Sequence, residues 1–196
     1  MPLSERSSTA FPSAHEHQRH SYGGSKYLGE VALQHAVAAG LDARIVRPFN
    51  AYGPRLLGDA YGQVIGMMFQ AVSSKQAIQI HGDGTQTRCF THIDDVVEGF
   101  ILAGELDVDL VQGKPLAGSS FNIGSSEEVS IAELARCIKV AVNDLDVEVA
   151  HTEGYHGDSK RRVPDCTSSE QLLGWQCTTK LGHGLLRVWQ ELNVQP

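Results

Sequence analysis

The chain is 196 residues long, 41% hydrophobic and 20% charged, a globular composition with length enough to bury a sizeable core in one domain or two. Its formal net charge of −7 argues against nucleic acid or an anionic membrane as the main partner, while leaving room for local basic sites that hold small anions. No apolar run approaches the roughly 18 residues of a membrane span and the start lacks the apolar centre of a signal peptide. Cys89, Cys137, Cys166 and Cys177 show neither a C-x-x-C pair nor a zinc-type spacing, so reduced thiols in a cytoplasmic protein are expected.

Residues 1–20 read as a loop rich in Ser, Pro, His and charge; His15, His17 and His20 fit no helical ligand pair, and a solvated loop is favoured over a metal site. A helix is predicted from Gly24 to about Ala39, apolar on more than one side, with Gly40 as its stop. Ala43–Val46 reads as a strand ending at Arg47-Pro48-Phe49-Asn50; helix, glycine stop and strand make half of a βαβ unit and suggest a parallel sheet. After the turn Ala51–Arg55 come a helix from about Tyr61 to Ser73, a strand at Ala77–Ile80 and the glycine turn His81–Gly84. Asp94 or Asp95 is expected to cap a helix from Val96 to about Ala103, which makes both more structural than catalytic.

Residues 107–118 form a polar connection, and Phe121–Gly124 is a short strand. Ser130-Ile131-Ala132-Glu133 is a capping box opening a helix. Val147–Ala150 is a strand, residues 151–165 a charged loop, Ser168–Leu173 a short helix stopped by Gly174. Thr179 is the expected cap of a last amphipathic helix with Leu181, Leu185, Val188, Trp189 and Leu192 on one stripe.

Chemistry concentrates at Ser21-Tyr22-Gly23-Gly24-Ser25-Lys26. Tyr22 and Lys26 stand one helical turn apart on one face. A phenol ordinarily keeps its proton to about pH 10; an ammonium nearby favours the phenolate and brings acid–base chemistry closer to neutrality. Alone, this spacing recurs by chance. Four further stretches follow in order: Arg47-Pro48-Phe49-Asn50-Ala51-Tyr52-Gly53-Pro54-Arg55, Gly82-Asp83-Gly84-Thr85-Gln86-Thr87-Arg88, Phe121-Asn122-Ile123-Gly124, and Gly157-Asp158-Ser159-Lys160-Arg161-Arg162-Val163-Pro164-Asp165. Together they resemble the extended short-chain dehydrogenase/reductases of the NAD-dependent nucleotide-sugar epimerase/dehydratase family, from about Pro2 to Trp175.

The resemblance implies an α/β fold: the C-terminal part of a Rossmann-type parallel sheet plus a smaller α/β substrate-binding region. Residues 1–50 are then the remnant of a dinucleotide-binding domain, and 51–196 mainly the substrate-binding region, with 91–124 returning to the Rossmann sheet. It implies Tyr22 as the base that takes a sugar hydroxyl proton while hydride passes to NAD. Lys26 would lower the tyrosine pKa and hold the nicotinamide ribose, and the backbone at Phe49 would border the nicotinamide. Asn50, Arg88 and an arginine of the late loop would hold the diphosphate of a nucleotide sugar. Arg162 is favoured over Arg161 for that last place. Asn122 either fixes a loop over the nucleotide or ends a strand. A homodimer through the Tyr22–Lys26 helix is the family's habit, and isomerase and lyase activities both occur. The Arg-Pro-Phe-Asn-x-Tyr-Gly-Pro-Arg form leans toward the epimerase and UDP-glucuronate decarboxylase branches.

The sequence departs from the family at its start. A Rossmann site seats the pyrophosphate on a glycine-rich turn between a strand and a helix. No such turn precedes Tyr22, and Ser7, Ser8 and Ser21 fit no motif for the family's catalytic Ser/Thr. Pro2–Glu5 resembles the loop just after the strand that carries it. The chain is therefore expected to be the C-terminal part of such an enzyme, with doubtful NAD binding on its own. The alternative is a non-catalytic nucleotide-sugar-binding or dimerisation module.

Overall fold

The computed structural model describes residues 2–11, 13, 15, 20–56, 63–154 and 158–194. In chain order these build α1 (His20–Ala38), β1 (Ile45–Pro48), β2 (Ala51–Tyr52), α2 (Val64–Ser73), β3 (Ile78–His81), β4 (Thr87–Cys89) and β5 (Thr91–His92). Then come α3 (Ile93–Glu105), β6 (Ser120–Ile123), β7 (Glu128–Ser130), α4 (Ile131–Ala141), β8 (Val149–Thr152), β9 (Arg161–Arg162), α5 (Thr167–Leu173) and α6 (Leu181–Val194). The α/β class with parallel strands is as the sequence implied. Among the described residues, no helix is long and apolar enough to cross a membrane.

Among the described residues, three two-stranded parallel pairs and one three-stranded sheet carry the fold. β1 runs parallel to β6, Ile45 opposite Ser120 and Pro48 opposite Ile123. β2 pairs with β5, and β3 runs parallel to β8, which follows α4. β4 lies between β7, antiparallel, and β9, parallel.

The apolar residues segregate into two cores. One gathers Ile65, Met68 and Phe69 of α2, Ile78 and Ile80 of β3, Leu134 and Ile138 of α4, and Leu185 and Val188 of α6. The other gathers Val96 and Ala103 of α3, Phe121 and Ile123 of β6, Leu173 of α5, and Trp175. Burying a side chain of this size is worth about 1.5–3 kcal/mol relative to leaving it exposed, so each cluster is a substantial anchor. At Gly99 of α3 the helix approaches β6 so closely that a Cβ would stand 2.7 Å from Ile123 Cδ1.

Several boundaries differ from the sequence reading. α1 begins at His20, a turn before Gly24, because the poor helix formers Gly23 and Gly24 are carried inside the helix. His17 lies outside the described residues, and His15 is an exposed residue before α1. Neither aspartate caps α3: His92 does, its Nδ1 accepting the Asp94 amide at 3.3 Å. Asp95 turns inward instead, accepting the amides of Thr178 and Thr179 at 3.1 and 3.0 Å and the Thr178 hydroxyl at 2.7 Å. Burial works against its ionisation, yet these donors together hold its carboxyl below the ordinary range.

Thr179 does not cap α6, whose Leu181 amide donates to the Glu127 carboxylate at 3.1 Å. The capping box at Ser130 and Glu133 forms as expected, and Gly174 closes α5 at φ 67°. Asn122 is 1% exposed; its amide nitrogen donates to the Leu3 and Asp165 carbonyls, stitching the chain start and the segment before α5 to β6.

Candidate functional site

The C-terminal ends of parallel strands are where open α/β sheets bind ligands, and here the end of β1 opens into a cleft of about 570 Å³. Tyr22, Pro48, Asn50, Arg88, Phe90 and Arg162 are among its lining residues. Four of the six residues singled out from the sequence thus face one space, although α1, the end of β1, β4 and β9 supply them separately. Lys26 stands beside the cleft through Tyr22, its Nζ 5.4 Å from the ring centroid. Phe49 is not among the lining residues; it is half-buried, its amide bonded to the Ile123 carbonyl and its carbonyl to the Thr91 hydroxyl.

Each placement has a local cause. The helical spacing of Tyr22 and Lys26 puts both on one face of α1, where Tyr22 is 72% exposed. Pro48 contributes no backbone donor, and the chain turns sharply after it, with Asn50 at φ 40°. That left-handed conformation suits asparagine better than most residues. The Asn50 side chain donates from Nδ2 to the Cys89 carbonyl at 2.6 Å, locking the corner against the end of β4. Asn50 thus closes the strand–turn corner and also stands in the cleft wall.

Arg88 and Arg162 are register partners on adjacent parallel strands, Arg88 opposite Arg162 and Thr87 opposite Arg161. Side chains at one register point to one face of a sheet, so both guanidinium groups enter the cleft. Arg161 lies on the other face, where it forks onto Glu128 at 2.8 and 2.7 Å. The Arg161 and Thr87 hydrogen bonds hold the Glu128 carboxyl down at about 2.

Arg88 is 8% exposed. Its Nη2 meets Asp158 Oδ1 at 2.9 Å and its Nη1 donates to the Thr87 carbonyl at 2.7 Å. Burial lowers its pKa, the Asp158 carboxylate opposes this, and an arginine stays charged across the physiological range. The cleft thus has a fixed cationic pole at Arg88 and Arg162, and a tyrosine with its lysine at the rim.

Sequence reasoning passed over several wall residues. Gln79 and His81 alternate along β3 with the core residues Ile78 and Ile80, and both line the cleft. The alternation Ile-Gln-Ile-His was the available signal. Gln86, its amide nitrogen bonded to the His81 carbonyl at 2.9 Å, completes that polar wall. Asp158 lies inside the Gly157–Asp165 stretch, but nothing in that spacing marked it as the partner of Arg88. Among the described residues, no group of His, Cys, Asp or Glu side chains has the arrangement of a metal centre.

Residues 2–124 match the NAD dependent epimerase/dehydratase family. UDP-glucuronic acid decarboxylase 6 of Arabidopsis thaliana is 35% identical over 156 residues, covering 80% of this chain and 42% of that protein. UDP-glucose 4-epimerase of Mycolicibacterium smegmatis is 33% identical over 169 residues, covering 85% of this chain and 50% of that protein. Among solved structures, UDP-glucuronic acid 4-epimerase of Bacillus cereus in complex with UDP-glucuronic acid and NAD superposes with a TM-score of 0.76 at 28% identity, covering 88% of this chain and 52% of that one. The chain spans half or less of the length of these two curated relatives.

Proposed function

The chain belongs to the NAD dependent epimerase/dehydratase family, and from that premise we propose that it carries the proton-transfer and sugar-nucleotide half of a nucleotide-sugar epimerase, dehydratase or decarboxylase. The observation that supports this most is the convergence of Tyr22, Asn50, Arg88 and Arg162 on one cleft. The substrate is a nucleoside-diphosphate sugar. Its diphosphate lies against Arg88 and Arg162, whose planar donors suit phosphate oxygens. Asn50 adds a polar contact at the corner, and the wall of Gln79, His81 and Gln86 flanks the nucleotide.

Tyr22, acting as the base, takes the proton of a sugar hydroxyl, converting the carbinol carbon to a ketone as that carbon releases its hydride; reversal returns both. NAD supplies the hydride acceptor when bound. Lys26 beside Tyr22, and the backbone at Phe49 next to Pro48, fit the nicotinamide end of such a cofactor. The described residues provide no glycine-rich turn opening a helix, so none of them is assigned to its pyrophosphate. In this reading residues 1–50 and 91–124 share the cofactor-side sheet through the β1–β6 pair, and residues 51–90 and 125–196 mainly serve the substrate.

A second reading, a nucleotide-sugar-binding or dimerisation module without turnover, draws on α1. Its described side chains include no buried one, and Tyr27 and Leu28 are 50% and 66% exposed. An apolar helix left this open fits a partner, and a second copy of the chain is the proposed one.

Calorimetric titration with UDP-glucose, UDP-glucuronate and NAD separates the two. The first reading expects both UDP-sugar and NAD binding, with Tyr22→Phe retaining UDP-sugar affinity to within about threefold while abolishing turnover. UDP-sugar binding without NAD binding favours the second reading. Failure of every UDP-sugar to bind refutes the first reading and the sugar-binding form of the second, and leaves dimerisation to be checked by light scattering.

A further inference from the structure

α1 is tied to the rest of the molecule by polar contacts along one row, beside apolar ones such as the Phe11–Tyr27 ring contact. Tyr22, Lys26, Glu30 and Gln34 recur every four residues, each a neighbour of the next along a row that winds slowly around the helix. The C-terminal half of that row is fastened. Glu30 grips Arg47 of β1 with both carboxylate oxygens, at 2.8 Å from Nε and 2.5 Å from Nη2. Gln34 donates to the Gly118 carbonyl at 2.8 Å, just before β6. In the N-terminal half, Tyr22 lines the cleft and Lys26 stands beside it against the Tyr22 ring. No side chain described in α1 is fully buried; Leu33, Ala36 and Val37 are half-buried on one face, and the polar ties add to the hold that this partial packing has on the helix's rotation about its own axis.

Arg47 is itself ordered from more than one side. Its Nη1 donates to the Glu5 carbonyl at 3.0 Å. The Glu5 carboxylate accepts the Asn122 amide of β6 at 2.9 Å and the Ser168 hydroxyl of α5 at 3.3 Å. Arg47 also immediately precedes Pro48, which lines the cleft together with Tyr22. The guanidinium fork therefore joins the tyrosine helix, the strand at whose end the cleft opens, and the segment at the chain start.

We infer that Glu30 and Arg47 are positioning residues for Tyr22: their two-point bridge sets the roll of α1, and with it the place of the phenol in the cleft. This rests on the proposed role of Tyr22. The leverage is large. At a side-chain radius of about 6 Å, a roll of about 10° moves a side-chain end about 1 Å. Misplacement of that size costs about 100-fold in rate.

The test uses the full chain labelled with 3-fluorotyrosine and read by fluorine NMR, with the Tyr22 signal identified by its loss in Tyr22→Phe. Tyr52, buried in the core around α2 and α6, reports on the fold in the same spectrum. In Glu30→Ala and Arg47→Leu the Tyr22 signal should move while the Tyr52 signal stays. Glu30→Gln should give an intermediate shift, and the exchanged pair E30R/R47E should restore the wild-type position. UDP affinity, set at the other pole of the cleft, should remain within about twofold. Glu30→Ala, on a largely exposed helix, keeps the test informative if Arg47→Leu fails to fold.

A Tyr22 signal unchanged in Glu30→Ala, or one that moves only together with Tyr52, overturns the positioning role. Titrating the wild type with UDP-glucose separates the two readings. A Tyr22 signal indifferent to bound UDP-glucose overturns the proposed function and the positioning role with it. A responsive wild type with an unchanged Glu30→Ala signal overturns the positioning role alone.

Discussion

Replacing Arg88 by methionine keeps most of the side chain's length and removes its charge. In the free protein the guanidinium bonds the Thr87 carbonyl and Asp158, whose side chain is 34% exposed. A pair that partly faces water contributes about 1 kcal/mol or less, so the variant should stay folded, with a melting temperature within about 5 °C of the wild type. Binding is a different matter. Charge-assisted hydrogen bonds contribute about 1.5–3 kcal/mol, and the arginine must exchange some of its hold on Asp158 for a phosphate. A net loss of about 2–3 kcal/mol is expected, or about 30- to 150-fold in UDP affinity. Asp158→Asn has the opposite sign: removing a carboxylate next to the diphosphate relieves about 1 kcal/mol of repulsion at an intermediate dielectric and tightens binding about fivefold. Titration calorimetry with UDP checks both, with uridine as the control whose affinity neither substitution should alter. If R88M binds UDP within about threefold of wild type while folded, Arg88 does not hold the diphosphate.

Three other outcomes follow from the packing. Asp95→Ala strands the Thr178 and Thr179 amides and the Thr178 hydroxyl, a loss of about 2–4 kcal/mol measurable by urea denaturation. Because the folded-state pKa of Asp95 lies below its unfolded value, its contribution is complete above the unfolded pKa near 3.8 and disappears as pH falls through the folded one. The pH dependence of stability below pH 4 should accordingly flatten in the variant. Gly99→Ala drives a methyl against Ile123 and should cost about 1–3 kcal/mol in the same assay. The chain on its own should self-associate through the open face of α1; Leu28→Glu with Val31→Glu should reduce the apparent mass in light scattering, and an unchanged mass refutes that interface.

What could be read from sequence divides along physical lines. Tyr22 and Lys26 were visible because helical periodicity turns a spacing into a shared face. The Ser130 capping box and the Gly174 stop were visible because each is chemistry over a few neighbouring residues. β9 was not: two residues carry no alternation, and Arg161–Arg162 becomes a strand only by adding to β4. Asp95 was misread for a related reason. A carboxylate next to a helix start has two ways of finding donors, the local amides or a remote loop, and the remote Thr178–Thr179 pair prevailed. The Glu30–Arg47 bridge was likewise hidden, since a sequence does not say which of many opposite charges will meet.

The two poles of the cleft are built with unequal rigidity, and this bears on how such a site can work. Arg88 and Arg162 sit on paired strands, backed by Glu128 on the opposite sheet face and by a core around α2, α4 and α6. Tyr22 rides on a helix without a buried side chain among those described, held by the Glu30 and Gln34 ties. On the proposed function, an anion finds its seat ready-made, whereas the phenol needs α1 held in one roll before it meets a sugar hydroxyl at hydrogen-bond distance. Anything that covers the exposed face of α1 adds to that hold. If the proposed turnover and self-association both hold, covering α1 should raise turnover at unchanged UDP affinity, and variants that break self-association should lower kcat and leave Kd for UDP within about twofold. Equal losses in both would place the arginine pole, not the helix, under the control of that surface.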